Sequence, residues 1–320
     1  MNVRIVGDGV AARCSAHLLR RGGYRVKLDA PARARIPTIL LGEMAQRLIA
    51  DIFEQPELFS GLPRITRKIV QWNAAPVELP HSAVILSEEI LLSRLPEPSD
   101  DFEGRDWTMI SSPPLPEECR MHGFGARSAW PVAVEMRAEA EPSASWIEAV
   151  EDGWLFLNAG WLASVGAPPE VLLEKSSLVA SRIARFEPAR AKFPAYPRMA
   201  APLAGEKWFA CGSAAMAFDP ICGDGTAHAV REAILASAAI RAADAGQDRT
   251  RVTAHYEARL TAGFARHLEE SRRYYASGGD GPWWRAELAA IDQGIAWCRA
   301  KLEAHGPFRC ALDGFDLRVL

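Results

Sequence analysis

The 320-residue sequence has six cysteines and seven histidines, but no CxxC pair and no cysteine spaced from a histidine as metal ligands are. This absence argues against a zinc site or a disulfide framework, so we expect no metal and reduced, mostly buried thiols. No uninterrupted apolar run of about 18 residues is present to span a bilayer. The basic, apolar and small-residue series of a signal peptide is absent from the first residues. A net charge of −3 gives no electrostatic reason to expect nucleic acid. We therefore expect a cytoplasmic protein that binds neither nucleic acid nor membrane.

The composition is that of a folded globular protein. Apolar residues make up 49% of the chain and charged residues 24%, which are ordinary fractions for such proteins. A chain of this length is long for a single core, so the length predicts one large domain or two intimately joined ones.

The N-terminal residues predict a βαβ unit. A strand over residues 2–7 runs into Gly7-Asp8-Gly9-Val10-Ala11-Ala12, a helix follows to Arg21, and a second strand over 24–28 ends at Asp29. In a GxGxxA turn, the first glycine makes the tight turn, the second lets a pyrophosphate approach the helix N-terminus, and the alanine keeps helix and strand close. An acid about 20 residues further on binds a ribose hydroxyl in such units. The pattern predicts a dinucleotide site but does not distinguish NAD from FAD.

A second glycine-rich stretch lies near the other end of the chain. The run Trp208 to Cys211 resembles a buried strand, residues 212–225 contain an Asp-Pro step and then two glycines, and Thr226 to Arg241 has the apolar spacing of a helix. Glycines let the backbone approach a bulky ligand, and a helix N-terminus directs N–H groups at it. The stretch indicates a cradle for an anion or an electron-rich ring, and the alternative is an ordinary turn before a helix.

The middle of the chain predicts short strands and few helices. We expect a helix over 39–52, strands within 64–86, a helix from Ser87 to Arg94, a strand at 107–110, antiparallel strands over 127–137, 145–150, 154–157 and 161–165, and a helix over 171–186. After residue 241, the pattern predicts two long helices over 250–277 and 282–304. The first and last thirds of the chain thus flank an inserted β layer.

The two glycine motifs together resemble those of the FAD-dependent monooxygenase and flavin-dependent tryptophan halogenase superfamily. That superfamily also includes flavoproteins that mature the quinone cofactors of amine dehydrogenases and amino-acid oxidases. The likeness extends to the strand Arg67 to Trp72 and the hairpin Trp146 to Trp154. It implies an α/β fold: a Rossmann-type, three-layer FAD-binding domain, an inserted antiparallel β-sheet substrate domain and a C-terminal helical cap. The corresponding segments are 1–115 and 201–245 for FAD, 116–200 for the sheet and its helix, and 246–320 for the cap.

The resemblance also implies a cofactor, its contacts and a reaction. The residues expected to hold the ADP half of FAD are Gly7, Gly9, Val10, Ala11, Ala12 and Asp29. Those expected to hold the ribityl chain and flavin are Gly212, Ser213, Asp219, Pro220, Gly223, Asp224 and Gly225. The implied protein is an FAD-dependent oxidoreductase, a monooxygenase that acts on an indole-like substrate, free or within a peptide or partner protein. Reduced flavin or NAD(P)H would supply electrons, and Trp154, Phe156 and Trp161 are the candidate substrate contacts.

Two other functions stay open, and the departures from the family pattern bear on both. Ser213 stands where the family usually has an aspartate, Cys222 stands near the position of the halogenase glutamate, and Asn158-Ala159 replaces the end of the halogenase Trp-x-Trp-x-Ile-Pro strand. Lys68 lies in a strand similar to the one that carries the halogenase lysine, although a solvated strand lysine is the simpler interpretation. The sequence thus favours oxygenation over halogenation. A flavin-binding maturation partner without turnover is the remaining alternative.

Overall fold

The computed structural model describes residues 1–30, 33–97, 100–189, 191–305 and 310–319. Residues 306–309 and 320 of the expected cap lie outside these ranges. None of the helices within them is long and apolar enough to cross a membrane.

The N-terminal βαβ unit forms as the glycine pattern predicts. It consists of β1 (Asn2–Val6), α1 (Val10–Arg21) and β2 (Arg25–Asp29), with β1 and β2 parallel and Val6 opposite Asp29. Gly7 has a φ of 123°, and a Cβ added there would lie 2.2 Å from Ser111 Oγ, so only glycine fits the turn.

The next segment differs from expectation at one element. It contains β3 (Ile39–Gly42), α2 (Glu43–Phe53), β4 (Arg64–Gln71), β5 (Val77–Leu86), α3 (Glu88–Ser93) and β6 (Trp107–Ile110). The predicted helix over 39–52 is wrong for its first four residues, because Ile39 to Gly42 pair with Leu86 to Ala83. Helix α3 begins as predicted, with the Ser87 hydroxyl accepting a 3.1 Å hydrogen bond from the Ile90 N–H.

The β layer follows. Its elements are β7 (Arg120–Gly123), β8 (Ser128–Met136), β9 (Ala144–Val150), β10 (Gly153–Asn158), β11 (Trp161–Val165), α4 (Pro169–Glu174), β12 (Ile183–Phe186), β13 (Phe193–Pro194) and β14 (Arg198–Ala201). The nine-stranded sheet has the order β12-β8-β11-β10-β9-β4-β5-β3, with β13 also paired to β8. The antiparallel pairs among β8 to β11 confirm the predicted sheet. Strands β3 to β5, which come before residue 115, also belong to this sheet, so the sheet extends beyond the segment 116–200.

The helix predicted over 171–186 is wrong beyond Glu174. The Glu148 carboxylate accepts hydrogen bonds from the backbone N–H groups of Ser177 at 2.8 Å, Leu178 at 3.1 Å and Val179 at 2.8 Å. Because these N–H groups are already satisfied by a side chain, they are not available to an α-helical ladder. Residues 183–186 then join the sheet as β12.

The last third completes the first domain and adds the helices. It contains β15 (Ala204–Gly205), β16 (Trp208–Ala210), α5 (Gly212–Ala215), β17 (Met216–Ala217), α6 (Gly225–Asp244), α7 (Arg249–Gly278), α8 (Pro282–His305), β18 (Cys310–Asp313) and β19 (Asp316–Val319). The five-stranded sheet has the order β15-β16-β6-β1-β2, in which β16, β6, β1 and β2 are parallel neighbours. Helices α7 and α8 confirm the helical region expected at the C-terminus.

Two cores lie on opposite faces of the nine-stranded sheet. Trp154 and, partly, Phe156 belong to the main core, which also contains α1, α6 and the five-stranded sheet. Leu155 and Leu157 belong to a smaller core with Leu172 of α4. Since side chains alternate along a strand, Trp154 and Phe156 face the helices and the glycine loops, while the intervening leucines face away.

Candidate cofactor cleft and active site

The two glycine loops meet at the carboxyl edge of the five-stranded sheet. Gly212 follows β16 with a φ of 58°, and a Cβ added there would lie 3.1 Å from both Ala11 Cβ and the Ser111 carbonyl oxygen. The Ser213 hydroxyl donates to that same carbonyl at 3.2 Å. Ligands of open α/β sheets bind at this edge, so the fold brings the two halves of the expected site together although they are about 200 residues apart.

Helix α1 presents an open N-terminus at Gly9. Gly9 is the N-cap residue, and no side chain accepts a hydrogen bond from the first N–H groups of α1. These N–H groups are therefore available to a ligand. A Cβ at Gly9 would meet only Arg33 Nη2 at 3.5 Å and Glu88 Oε1 at 3.7 Å. Val10, Ala11 and Ala12 form the first turn.

A group of charged side chains surrounds this helix end. Asp8 is buried and pairs with Arg33 at 3.0 Å and Arg35 at 2.5 Å, and Arg33 also pairs with Glu88. Burial by itself raises the pKa of Asp8, but the hydrogen bond from Arg35 and the charge of Arg33 outweigh it and hold that pKa below its ordinary value. The two guanidinium groups lie beside the helix N-terminus, where a pyrophosphate binds, and in this structure Asp8 and Glu88 neutralise them. Sequence reasoning missed them, although the basic residues directly after β2 were the available signal.

Asp29 lies at the end of β2, where an acid is expected to bind ribose. Its carboxylate forms an ion pair with Arg4, and its side chain is 35% exposed. The carboxylate therefore stays accessible to a hydroxyl group at the edge of the sheet.

The loop from Asp219 to Gly225 has one anchored end and one open end. Asp219 is buried, its carboxylate accepts from the Ile221 N–H at 3.0 Å, and its own N–H donates to His267 Nε2 at 2.8 Å. Pro220 begins a single 3₁₀ turn that ends at Cys222. Gly223 has a φ of 69°, and a Cβ at either Gly223 or Gly225 would meet nothing within 4 Å. The open backbone and the uncapped N-terminus of α6 leave room for a ring system.

Arg127 connects this loop to the C-terminal helices. Its side chain is fully buried and forms ion pairs with Asp219 and with Glu287 of α8. Glu287 also accepts from the Ala126 N–H at 3.2 Å, and the Arg127 guanidinium lies 4.6 Å from the ring centroid of Tyr275. The Asp219 carboxylate is thus occupied by Arg127 and by the Ile221 N–H. Asp219 therefore fixes the position of the loop through its ion pair with Arg127. Sequence reasoning did not find Arg127 or Glu287.

Asp224, near the end of this loop, forms a cluster with His228 and His267. Their ligand atoms lie within 4.8 Å of one another, with His228 Nε2 2.9 Å from Asp224 Oδ2 and His267 Nδ1 4.0 Å from Asp224 Oδ1. Because His267 Nε2 accepts from the Asp219 N–H, the neutral ring holds its proton on Nδ1. This tautomer directs an N–H of His267, instead of a lone pair, toward Asp224, but at 4.0 Å the two atoms do not form a hydrogen bond, and neither has another hydrogen-bond partner among the described residues.

Burial of His267 makes the stability of the protein depend on pH. Burial lowers the pKa of His267 to about 4 against the opposing charges of Asp219 and Asp224, while the unfolded value is about 6.5. The unfolded chain thus binds more protons between these pH values, so the free energy of unfolding falls as the pH drops through this window. We expect His267 to contribute a loss of about 2 kcal/mol between pH 7 and 5.

Urea unfolding at the two pH values measures this loss in the wild type and in His267→Gln. The free energy of unfolding of the variant should fall less between pH 7 and 5. Part of the fall should remain, because burial also lowers the pKa of His81 to about 4. Equal losses in both proteins would contradict the assignment.

One face of the nine-stranded sheet faces the Asp219–Gly225 loop and the helices. Lys68 of β4 lies opposite Ser145 of β9, Ser145 lies opposite Asn158 of β10, and Asn158 lies opposite Trp161 of β11. Phe156 is two residues from Asn158 and shares its face. The expected substrate residues Trp154, Phe156 and Trp161 therefore lie on one surface. Trp154 is buried and donates to the Tyr275 hydroxyl at 3.1 Å, while Phe156 and Trp161 are half-buried.

Lys68 is half-buried on this face. Burial lowers its pKa, and Cys222 of the loop is the neighbour whose thiolate, if formed, would oppose this shift. The thiol itself lies 3.6 Å from Ser271 Oγ, and burial raises its pKa. Lys68 thus faces the loop, which differs from a solvated strand lysine, and Cys222 is a neutral group at ordinary pH.

These residues fit an FAD molecule. Gly9 leaves space at a helix N-terminus flanked by Arg33 and Arg35, the Gly212 turn packs against α1, and the open Gly223–Gly225 backbone lies beside an uncapped helix. The cleft therefore has room for a phosphate group at one end and for a ring system at the other.

Known structures share this fold. QhpG, described as a peptidyl tryptophan dihydroxylase essential for tryptophylquinone cofactor biogenesis, is 18% identical, with a TM-score of 0.71 over 89% of this chain and 78% of its own. The flavin-dependent halogenase CmlS is 15% identical, with a TM-score of 0.73 over 95% of this chain and 71% of its own. The p-nitrophenol 4-monooxygenase PnpA from Pseudomonas putida DLL-E4 is 14% identical, with a TM-score of 0.63 over 95% and 96% of the two chains. No family profile and no curated protein sequence matches this chain. The likeness confirms the expected Rossmann-type α/β fold, which this chain shares with FAD-dependent monooxygenases and halogenases.

Proposed function

We propose that the protein is an FAD-dependent monooxygenase that inserts oxygen into an indole-like aromatic side chain carried by a peptide or partner protein. The observation that carries the proposal is the joint cradle of Gly9, Gly212 and Gly223–Gly225, which opens onto a sheet face that bears Phe156 and Trp161. The fold likeness to QhpG and PnpA supports the same class of reaction.

The chain's own residues bind, orient and exclude water. The N-terminus of α1, Arg33 and Arg35 hold the pyrophosphate, and Asp29 accepts from the ribose. The Gly223–Gly225 backbone and the N-terminus of α6 hold the ring. Reduced flavin, when bound, supplies the two electrons that activate oxygen. The buried layer of Trp154, Tyr275 and Arg127 closes the cleft on the side of the helices and excludes water from the reacting atoms.

Halogenation is a second candidate because of Lys68. Its half-buried position on the sheet face beside the loop is the place from which a lysine could direct an oxidant. The other two parts of the halogenase pattern are absent, since Cys222 cannot act as a carboxylic acid and Asn158-Ala159 replaces the end of the conserved strand. Oxygen insertion requires neither part, so we favour it.

Product masses distinguish the two reactions. The FAD-loaded protein, reduced by a flavin reductase with NADH, is incubated with oxygen, chloride or bromide, and N-acetyltryptophanamide or tryptophan-containing peptides. We expect a product that has gained oxygen and no halogen, with water as the second product of oxygen reduction. The matched variant Lys68→Met should retain oxygenation, because oxygen transfer does not require the ammonium group.

Two results would contradict this expectation. A halogen-bearing product that disappears in Lys68→Met would assign the protein to the halogenases. The absence of any product, with FAD firmly bound, would favour a flavin-binding maturation partner without turnover.

A further inference from the structure

Glu232 of α6 is a buried acid beneath the turn that follows β16. The residue is 4% exposed, and its carboxyl Oε2 accepts a 2.6 Å hydrogen bond from the Gly212 N–H. Burial raises the pKa of Glu232 well above its ordinary value, and the hydrogen bond from Gly212 opposes this shift. A buried carboxyl group is costly in free energy, so its placement under one turn of the cleft calls for a physical reason.

The Gly212 turn requires an anchor outside itself. Gly212 has a φ of 58°, and a Cβ added there would lie 3.1 Å from Ala11 Cβ and from the Ser111 carbonyl oxygen, so the position suits glycine. Glycine, however, adopts positive and negative φ about equally readily. The residue type therefore permits the left-handed conformation without selecting it, and the hydrogen bond to Glu232 supplies the selection.

The next residue makes the path of the backbone more important. The Ser213 hydroxyl donates to the Ser111 carbonyl at 3.2 Å, so its proton is used within the protein. A serine is also shorter than an acidic side chain and binds a hydroxyl group less strongly than a carboxylate does. Contact between this turn and a ribityl chain therefore depends on where the backbone of Gly212 and Ser213 runs.

Helix α6 connects this turn to the other end of the proposed ring site. The helix begins at Gly225, and Glu232 follows seven residues later, which is about 10 Å along the axis. The side chains around Glu232, from Ala233 to Ile240, are buried, so the helix is held firmly against the rest of the domain. One helix thus presents its N-terminus to the Gly223–Gly225 loop and the carboxyl group of Glu232 to the Gly212 turn.

We infer that Glu232 is a positioning residue for FAD: it holds the Gly212 turn in the conformation that receives the ribityl chain, in fixed register with the N-terminus of α6. Glu232 acts through the Gly212 N–H and not by contact with the cofactor. This inference rests on the proposed function, since it requires FAD in the cleft.

The first test is Glu232→Met, which removes the acceptor but keeps side-chain length. Methionine is apolar, adaptable and a good helix former, so the fold should be retained. Without its anchor, the turn samples other conformations, and the apparent affinity falls in proportion to the competent fraction. By equilibrium dialysis, we expect FAD to bind about tenfold more weakly or worse, whereas ADP, which lies at the α1 end, should bind within about twofold of wild type.

The second test is Glu232→Gln, whose side-chain carbonyl can accept from the same N–H. It should restore FAD affinity to within about threefold of the wild type. Amide hydrogen exchange of the protein without flavin gives an independent readout: exchange at Gly212 should be faster in Glu232→Met than in the wild type or Glu232→Gln. The matched control is Ser237→Ala on the same helix, which removes a buried hydroxyl that has no partner among the described residues and should change none of these properties.

Wild-type FAD affinity in Glu232→Met, or equal losses of FAD and ADP affinity, would overturn the inference. A glutamine variant as weak as the methionine variant would also overturn it, because acceptance from the Gly212 N–H would not be what matters. Unchanged exchange at Gly212 in Glu232→Met, with FAD bound by the wild type, would overturn the inference and leave the proposed function intact. Faster exchange in that variant, with no FAD bound by the wild type, would support the anchoring of the turn and contradict the proposed function.

Discussion

Replacement of Arg127 by methionine is expected to lower the free energy of unfolding by about 3–5 kcal/mol. The guanidinium group is fully buried between Asp219 and Glu287, and both carboxylates are also buried. Without it, two carboxylates remain out of water with no cation between them, which is the costly way to break a buried ion pair. Urea unfolding of Arg127→Met at pH 7 measures the loss.

Two variants separate this effect from a general loss of charge. Arg272→Met removes a guanidinium from the 2.6 Å pair with Asp292, whose side chains are both 48% exposed. Its effect should be within about 1 kcal/mol. Addition of Glu287→Met to Arg127→Met should restore part of the lost stability, because one of the two unpaired carboxylates is removed. A loss in Arg127→Met no larger than in Arg272→Met would show that the triad does not stabilise the loop.

Replacement of Gly9 by valine is expected to abolish FAD binding while the protein stays folded. Gly9 has a φ of −72°, which valine can adopt, and its added Cβ would make only ordinary contacts with Arg33 and Glu88. The side chain would instead occupy the space through which a pyrophosphate reaches the N-terminus of α1. Equilibrium dialysis with FAD and circular dichroism, measured on the same sample, report the two properties.

Two other glycines provide the controls. Gly7→Val should destabilise the fold itself, since a Cβ there would lie 2.2 Å from Ser111 Oγ at a φ of 123°. Gly263→Ala places a Cβ 3.8 Å from Arg266 Nη2 on α7 and should leave FAD affinity unchanged. If Gly9→Val retained wild-type affinity, the pyrophosphate could not lie at the N-terminus of α1.

The sequence predicted the local elements that surround the candidate cleft. Gly7, Gly9 and Asp29 are fixed by the spacing within one βαβ unit, and Gly223 and Gly225 lie directly before an amphipathic helix. Those spacings reflect turn geometry and helix periodicity, which a single sequence displays. The shared face of Phe156 and Trp161 likewise follows from strand alternation and a short turn.

Other parts depend on contacts between distant residues. Arg127 is 92 residues from Asp219 and 160 residues from Glu287, and no local pattern relates them. Ile39 to Gly42 have an apolar run that suits a helix or a strand, and only their pairing with β5 decides between the two. The helix expected over 171–186 ends at Glu174 because Glu148, on another strand, takes up the backbone N–H groups that follow.

One measurement tests most directly whether the two glycine loops form one FAD site. The purified protein is reconstituted with excess FAD, free flavin is removed, and a visible spectrum is recorded. We expect the absorption bands of bound oxidised flavin near one equivalent per chain, with the native circular dichroism spectrum retained. A folded protein that retains no flavin absorbance would contradict the account.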